Sequence, residues 1–470
     1  DLPHHANPLL HQGAPQDAIP YFKAALERDA RHKGALEALR DIYQAAGQRD
    51  DLVIVLRRLI PLQDDSSGVK SLRVQLSEVL AAGGRREEAL DAARRALEVE
   101  PHTVPELERV FAIFTALKAN GDAVRALEAK SGVLLAGEDR EGAIQALFAV
   151  ADLQRDLVGK PELGGPALEK VLEIDPAHRA AYERALELYS AVKDWRAYAL
   201  AMERYLPNLV TDEEKLASLR TLAQVQEQKL GQKDVAFLQM CRALQLNPND
   251  SSVRDDVERL AEETSSYEEL AAVYEEVADA LPRGPLAERM YLTLAKVHDE
   301  RLDDVEAAES ALRKILEFDP TNEGALEALS AMFARRGQAK EYIVALEQKL
   351  EAAPSIEKRK EILRDISRVY AERLDNHEEA VQALQRALEL EPDLETLSTL
   401  AGLQRSRGEF PAVASTLMRM RDLSPTPEDR ARLQVEIAQV YERDLQDDEG
   451  AVESYRHALE FDPASAHALD

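Results

Sequence analysis

The chain has 470 residues, of which 45% are hydrophobic and 31% charged but only 5% aromatic, a composition that fills a thin helical core and excludes the thick core of an α/β enzyme. Its 88 acidic against 59 basic side chains leave a formal charge of −29, a field that repels phosphate backbones and anionic lipid, so no nucleic acid and no membrane surface is expected as a partner. Cys241 is the only cysteine, which excludes an intramolecular disulfide and a cysteine-held metal cluster.

No run of about 18 apolar residues is present to span a bilayer, so no direct membrane insertion is expected, and residues 1–13 lack the basic-then-apolar pattern of a secretory signal. A cytoplasmic location is the expectation, with the periplasm left open. The chain begins with Asp1 and both ends fall inside a repeat, so it reads as a piece of a longer protein.

That repeat dominates the chain. Ala-Leu-Glu-Arg-Asp-Ala at 25–30 is followed by Ala-Leu-Glu-Val-Glu-Pro ending at Pro101, Val-Leu-Glu-Ile-Asp-Pro at Pro176, Ala-Leu-Gln-Leu-Asn-Pro at Pro248, Ile-Leu-Glu-Phe-Asp-Pro at Pro320, Ala-Leu-Glu-Leu-Glu-Pro at Pro392 and Ala-Leu-Glu-Phe-Asp-Pro at Pro463. The prolines are 75, 72, 72, 72 and 71 residues apart. A long repeat of this kind reads as a solenoid. We expect one solenoid over 1–470, in periods of approximately 1–66, 67–136, 137–212, 213–284, 285–356, 357–427 and a partial 428–470.

In chain order, each period holds two halves, and each half reads as two amphipathic helices around a short polar turn. Turns are expected at Ala46-Gly47-Gln48, Asn120-Gly121-Asp122 and Lys193-Asp194-Trp195, then at Arg336-Gly337-Gln338 and Arg407-Gly408-Glu409, where glycine tolerates the positive φ that often closes a helix. The stretch 159–166, Gly-Lys-Pro-Glu-Leu-Gly-Gly-Pro, lengthens the connector of the third period, with Gly164 where a small alanine is expected. Pro282-Arg283-Gly284-Pro285 and Ser424-Pro425-Thr426-Pro427 read as ordinary loops between periods. In the half from Glu357 to Pro392, Ile362, Ile366, Val369 and Tyr370 line a first helix, and Leu374-Asp375-Asn376 break it. Ala380, Val381, Leu384, Ala387 and Leu388 line a second, which stops before proline because proline has no amide to donate.

These residues resemble the tetratricopeptide repeat. Small alanines at 308, 380 and 451, alanines at 387 and 458, aromatics at Tyr370 and Tyr441, and a helix-ending proline fall at that repeat's signature positions. The resemblance covers essentially the whole chain, as about 13 helical hairpins with partial ones at the ends. It departs in two respects: turns one residue longer in the first halves, as at 372–376, and no terminal proline in most second halves. It implies an all-α, right-handed superhelical solenoid of antiparallel helix pairs, and a non-catalytic scaffold for partner proteins or peptides. Assembly through self-association, or service as the recruitment portion of a longer multidomain protein, are the alternatives.

No catalytic motif competes with this reading. The ten histidines, at 4, 5, 11, 32, 102, 178, 298, 377, 457 and 467, show no metal-ligand spacing. No phosphate loop, dinucleotide fingerprint, calcium loop or nucleophile elbow occurs, so no catalytic residue, metal or cofactor is expected. His298 stands where Tyr370 and Tyr441 stand and reads as packing. Trp195 reads as an anchor between hairpins.

The resemblance further implies that the first helix of each hairpin lines the concave face, which places Arg220, Arg289, Lys296, Arg364, Arg368 and Arg432 on the inner wall. Cations there would favour an acidic or carboxylate-bearing peptide. The competing expectation is that they pair with nearby acids such as Asp299, Asp365 and Glu436. The subtype that clamps chaperone tails with asparagines beside lysines is not matched, because Asn7, Asn120, Asn208, Asn247, Asn249, Asn322 and Asn376 read as turn residues.

Overall fold

The structure, a computed structural model, describes residues 15–158 and 160–463; His4, His5, His11, His467 and Gly159 lie outside them. Among the described residues the architecture is all-α, with 25 α-helices and no strand. The chain divides into two compact units, Asp1–Leu246 and Asn247–Asp470.

Unit 1 holds α1 (Pro15–Arg28), α2 (Lys33–Ala46), α3 (Arg49–Leu59), α4 (Ser66–Ala82), α5 (Arg86–Leu97), α6 (Val104–Ala116) and α7 (Asn120–Ala136). It continues with α8 (Arg140–Leu153), α9 (Gly165–Ile174), α10 (Arg179–Val192), α11 (Trp195–Tyr205), α12 (Asp212–Gln228) and α13 (Lys233–Leu246). Unit 2 holds α14 (Ser251–Thr264), α15 (Tyr267–Ala280), α16 (Pro285–Glu300), α17 (Val305–Phe318), α18 (Glu323–Arg336) and α19 (Ala339–Ala352). Then come α20 (Ile356–Arg373), α21 (His377–Leu390), α22 (Leu394–Ser406), α23 (Phe410–Leu423), α24 (Pro427–Gln439) and α25 (Asp448–Phe461). Within each unit, consecutive helices pack as pairs, and each pair packs on the next.

The pair α20–α21 shows why. Ile362, Ile366 and Val369 are buried on α20, facing Ala383 and Ala387 of α21 in one cluster, and each large aliphatic removed from water contributes roughly 1.5–3 kcal/mol. Ala380 is fully buried, so α21 can approach α20 closely. The turn between them is made by Asp375 at φ 50° and by Asn376, whose side chain accepts the Glu379 amide. On the far side of α21, Leu384 and Leu388 bury against Leu397 and Leu400 of α22. In an isolated pair the Leu384 and Leu388 face would stay uncovered, and that is the physical reason the repeat must stack.

Glycines close α2 and α18 at positive φ, Gly47 at 68° and Gly337 at 70°. The expected turn at Asn120-Gly121-Asp122 is one correction: these residues form the first turn of α7, and Lys118 makes the reversal at φ 55°. Lys118 and Lys193, at φ 59°, show that a side chain can be accommodated there, at a cost glycine avoids. In the long connector a π-turn at Gln154–Val158 and a 3-10 turn at Pro161–Gly164 precede α9. The tighter approach is at Gly165, one residue beyond the expected Gly164, because a Cβ there would lie 2.9 Å from the Tyr189 ring.

Candidate interaction surface

The first helices of successive pairs lie side by side, α4 against α6 and α16 against α18, and charged side chains link them. In unit 1, Arg109 of α6 reaches Glu78 of α4 at 2.6 Å, Arg184 of α10 pairs with Asp152 of α8, and Arg179 of α10 meets Glu214 of α12 at 3.3 Å. In unit 2, Arg336 of α18 reaches Asp299 of α16 at 2.8 Å, Arg364 of α20 reaches Glu395 of α22 at 2.9 Å, and Arg405 of α22 reaches Glu436 of α24 at 2.8 Å. Each pair is partly exposed, so individually it contributes little stability.

The six cations read from the sequence therefore separate. Arg220 is exposed on α12 in unit 1, whereas the other five belong to unit 2. Arg364 is half-buried and paired with Glu395; Arg368 pairs with Asp365 on its own helix; Arg432, largely exposed, pairs with Asp429 at 3.1 Å. Of the acids considered, Asp365 thus takes Arg368, but Asp299 is held by Arg335 and Arg336, and Glu436 by Arg405. Arg289 and Lys296 of α16 are exposed and make no ion pair, hydrogen bond or ring contact with any described residue. Seven residues apart, they share one helix face at a separation of about 10 Å along the axis. No bond joins the five of unit 2 to one another.

Two other recurring features were not legible beforehand. Lys70 and Lys360, each the fifth residue of its helix, are almost completely buried at 2% and 3% exposure. Lys70 reaches Glu106 at 3.2 Å and donates to the Pro101 carbonyl; Lys360 lies 3.1 Å from Glu357 and 3.4 Å from Asp393. Each ties α4 or α20 to the loop that leads into the next pair. Burial works against the Lys360 ammonium, but Glu357 and Asp393 outweigh it and hold its pKa above the ordinary value. Burial likewise pushes the Asp393 carboxyl up, and the Thr396 amide and hydroxyl, with Lys360, bring it below its usual value.

The second feature is a set of cations over aromatic rings: Lys229 over Trp195 at 5.5 Å, Arg301 over Tyr267 at 5.2 Å and Arg373 over Tyr342 at 5.9 Å. Trp195 is half-buried, with Tyr198 against its edge at 5.8 Å, so it packs between hairpins. Neither feature has a local sequence signature, because apart from Glu357 the partners lie some 30 to 40 positions away; the signal present was the recurrence of a basic residue at 229, 301 and 373, one period apart.

A half-open cleft of 430 Å³ is lined in part by Asp279, Arg283, Tyr291 and Lys314. Asp279 there is held low by hydrogen bonds from Lys314 and Tyr291, an arrangement that leaves its oxygens engaged. Among the described residues no group of histidine, cysteine and carboxylate side chains could hold a metal ion, and no helix is long and apolar enough to cross a membrane.

Family comparison matches Tetratricopeptide repeat models to residues 9–76 and to 288–322, 365–394 and 431–465. The last three fall on α16–α17, α20–α21 and α24–α25, the halves that end in proline. This is a tetratricopeptide repeat protein. A comparison with curated proteins finds no match. Among solved structures, Naa15/Naa10 bound to HypK-THB is 16% identical over 100% of this chain and 69% of that one, with a TM-score of 0.30. MamA is 22% identical over 38% of this chain and 93% of its own, with a TM-score of 0.25. YrrB, described as a TPR protein with an unusual peptide-binding site, is 19% identical over 42% and 97%, with a TM-score of 0.26. Superpositions this poor carry none of the argument that follows.

Proposed function

We propose that this tetratricopeptide repeat protein is a non-catalytic scaffold that binds a partner protein or peptide along its row of first helices, with α16 as the anchor for an acidic segment. The supporting observation is the contrast within the row. Arg364, Arg368 and Arg432 have acidic partners, whereas Arg289 and Lys296 do not. In a chain of charge −29, two unneutralised cations on one helix face make a local positive potential that a carboxylate-bearing partner can use without first breaking an ion pair. Packed helix pairs are preorganised, so ordering costs fall mainly on the partner.

The test is titration of a fluorescent poly-glutamate peptide at several salt concentrations. Reversal of both cations, Arg289→Glu with Lys296→Glu, is expected to weaken binding about tenfold and flatten the salt dependence, while Arg432→Glu changes it little. Equal binding by the double variant contradicts the assignment to α16.

A further inference from the structure

In each second-half pair the first helix closes at a residue of positive φ, and the twelfth position beyond it is Leu59, Lys130, Tyr205, Val277, Lys349 or Met420. Four of these are apolar. Leu59, Tyr205 and Met420 share a cluster with Leu72, Leu222 and Leu433 of the helix that follows, so each helps to plug the gap between its own pair and the next. Lys349 instead carries its ammonium to Glu327 of α18. Lys130 reaches Glu108 in the same way, at 2.6 Å, but α7 runs on to Ala136, whereas α19 stops at Ala352 and passes into Ala353 and Pro354. Where two other pairs have Leu62 and Leu423, this one has Ala352.

The result is a half-open cavity of 240 Å³ between α18, α19 and α20. Leu326, Ile362 and Ala353, at 1%, 3% and 7% exposure, form its floor with Pro354, and the exposed Glu323 and Lys358 stand at its rim. An apolar cavity of about 150 Å³ accommodates a benzene-sized molecule, and drug-sized ligands take about 300 Å³ or more. This one fits a single large apolar side chain.

The charges around the opening are unequal. Lys349 is engaged by Glu327, and Lys358 by Glu361 at 3.0 Å. The Glu323 side chain makes no ion pair or hydrogen bond with any described residue, and neither does that of Glu288 on α16, whose Oε1 would lie 3.9 Å from a Cβ at Gly324. Two carboxylates are thus in surplus beside the rim. An ammonium or guanidinium group brought there gains attraction without displacing an existing partner.

We infer that the cavity between α18, α19 and α20 is a docking site for a leucine- or phenylalanine-sized side chain of a partner protein, flanked in that partner by basic residues. Burial of the apolar side chain supplies the affinity, and the surplus of acid at the rim selects its neighbours. The site is carried by other residues than the cations of α16 and stands whether or not those bind carboxylates.

Two fluorescent peptides of equal charge, Lys-Lys-Leu-Lys-Lys and Lys-Lys-Ala-Lys-Lys, titrated onto the full chain, test it. The leucine peptide is expected to bind about tenfold more tightly. Ala352→Leu and Lys349→Leu each place in the cavity a residue that another pair already carries there, and each should bring that ratio to about one. Glu288→Gln with Glu323→Gln should weaken both peptides about fivefold and leave the ratio intact. A ratio near one in the wild type, a ratio that survives both filling variants, or affinities indifferent to the double glutamine variant overturns the proposal. Ala352→Leu should leave the poly-glutamate titration unchanged, so either reading can fail without the other.

Discussion

Arg301 holds its guanidinium 5.2 Å from the centre of the Tyr267 ring while its Nη2 donates to Glu262 at 2.7 Å. One period on, Arg373 stands over Tyr342 and donates to the Ala334 carbonyl at 3.1 Å. In both cases a side chain from the end of one helix fastens the two helices of the preceding pair. Removing the cation with Arg301→Ala, the ring with Tyr267→Leu, and both together should reveal a coupling of about 0.5–1 kcal/mol, read from urea unfolding. A coupling near zero would mean that the contact adds nothing beyond packing.

Lys360 is expected to matter more than a surface ion pair does. Lys360→Met fills the same volume but leaves Asp393, itself only 22% exposed, with Arg364 at 3.6 Å as its remaining cation. The cost should be about 1–3 kcal/mol. Lys358→Met, in which an exposed partner of Glu361 is lost, should change stability by less than about 0.5 kcal/mol. Thermal unfolding of the two variants compares them directly.

The Asp393 carboxyl is held below its ordinary value of 3.8, so its ionised form contributes stability that is complete above that value and lost as pH falls through the lowered one. Asp393→Asn retains a capping oxygen and removes the charge facing Lys360 and Arg364. The difference in urea midpoint between wild type and variant should therefore be constant at neutral pH and shrink to nothing under acid once the wild-type carboxyl is protonated. A difference that persists there would assign the loss to the cap instead.

Two glycines should respond oppositely to alanine. At Gly165 a Cβ would meet the Tyr189 ring at 2.9 Å and its hydroxyl at 3.0 Å, and that hydroxyl is bonded to Glu169, so Gly165→Ala should cost about 1–3 kcal/mol. At Gly121, inside the first turn of α7, nothing lies within 4 Å. Gly121→Ala should be neutral or stabilise by up to about 1 kcal/mol. Melting temperatures of the two variants moving the same way would contradict this packing account.

The helix pairs were legible because their signal is local and repeated. Ile362, Ile366 and Val369 recur at helical spacing, and each period restates the pattern before its proline. The turn at Asn120-Gly121-Asp122 was misplaced because glycine marks a possible reversal and does not require one; Lys118 took the positive φ instead. The helix placement of the candidate surface was legible in part. Arg289, Lys296, Arg364, Arg368 and Arg432 could all be placed on first helices, but only the fold decides which of them meets an acid. Glu395 is 31 positions from Arg364, and nothing in the intervening sequence marks it as the partner. His32 and His178 were visible as histidines two positions past the end of the repeated phrase; that each caps a helix by accepting a backbone amide at its Nδ1 is set by the fold.

The most direct measurement is photo-cross-linking from position 293, between Arg289 and Lys296 on α16, followed by mass-spectrometric mapping of the adduct on its partner. The account predicts adducts that map to an acidic segment of a partner protein and that disappear in the Arg289→Glu, Lys296→Glu variant. Adducts of equal yield from the double variant, or partner segments without clustered carboxylates, would contradict it.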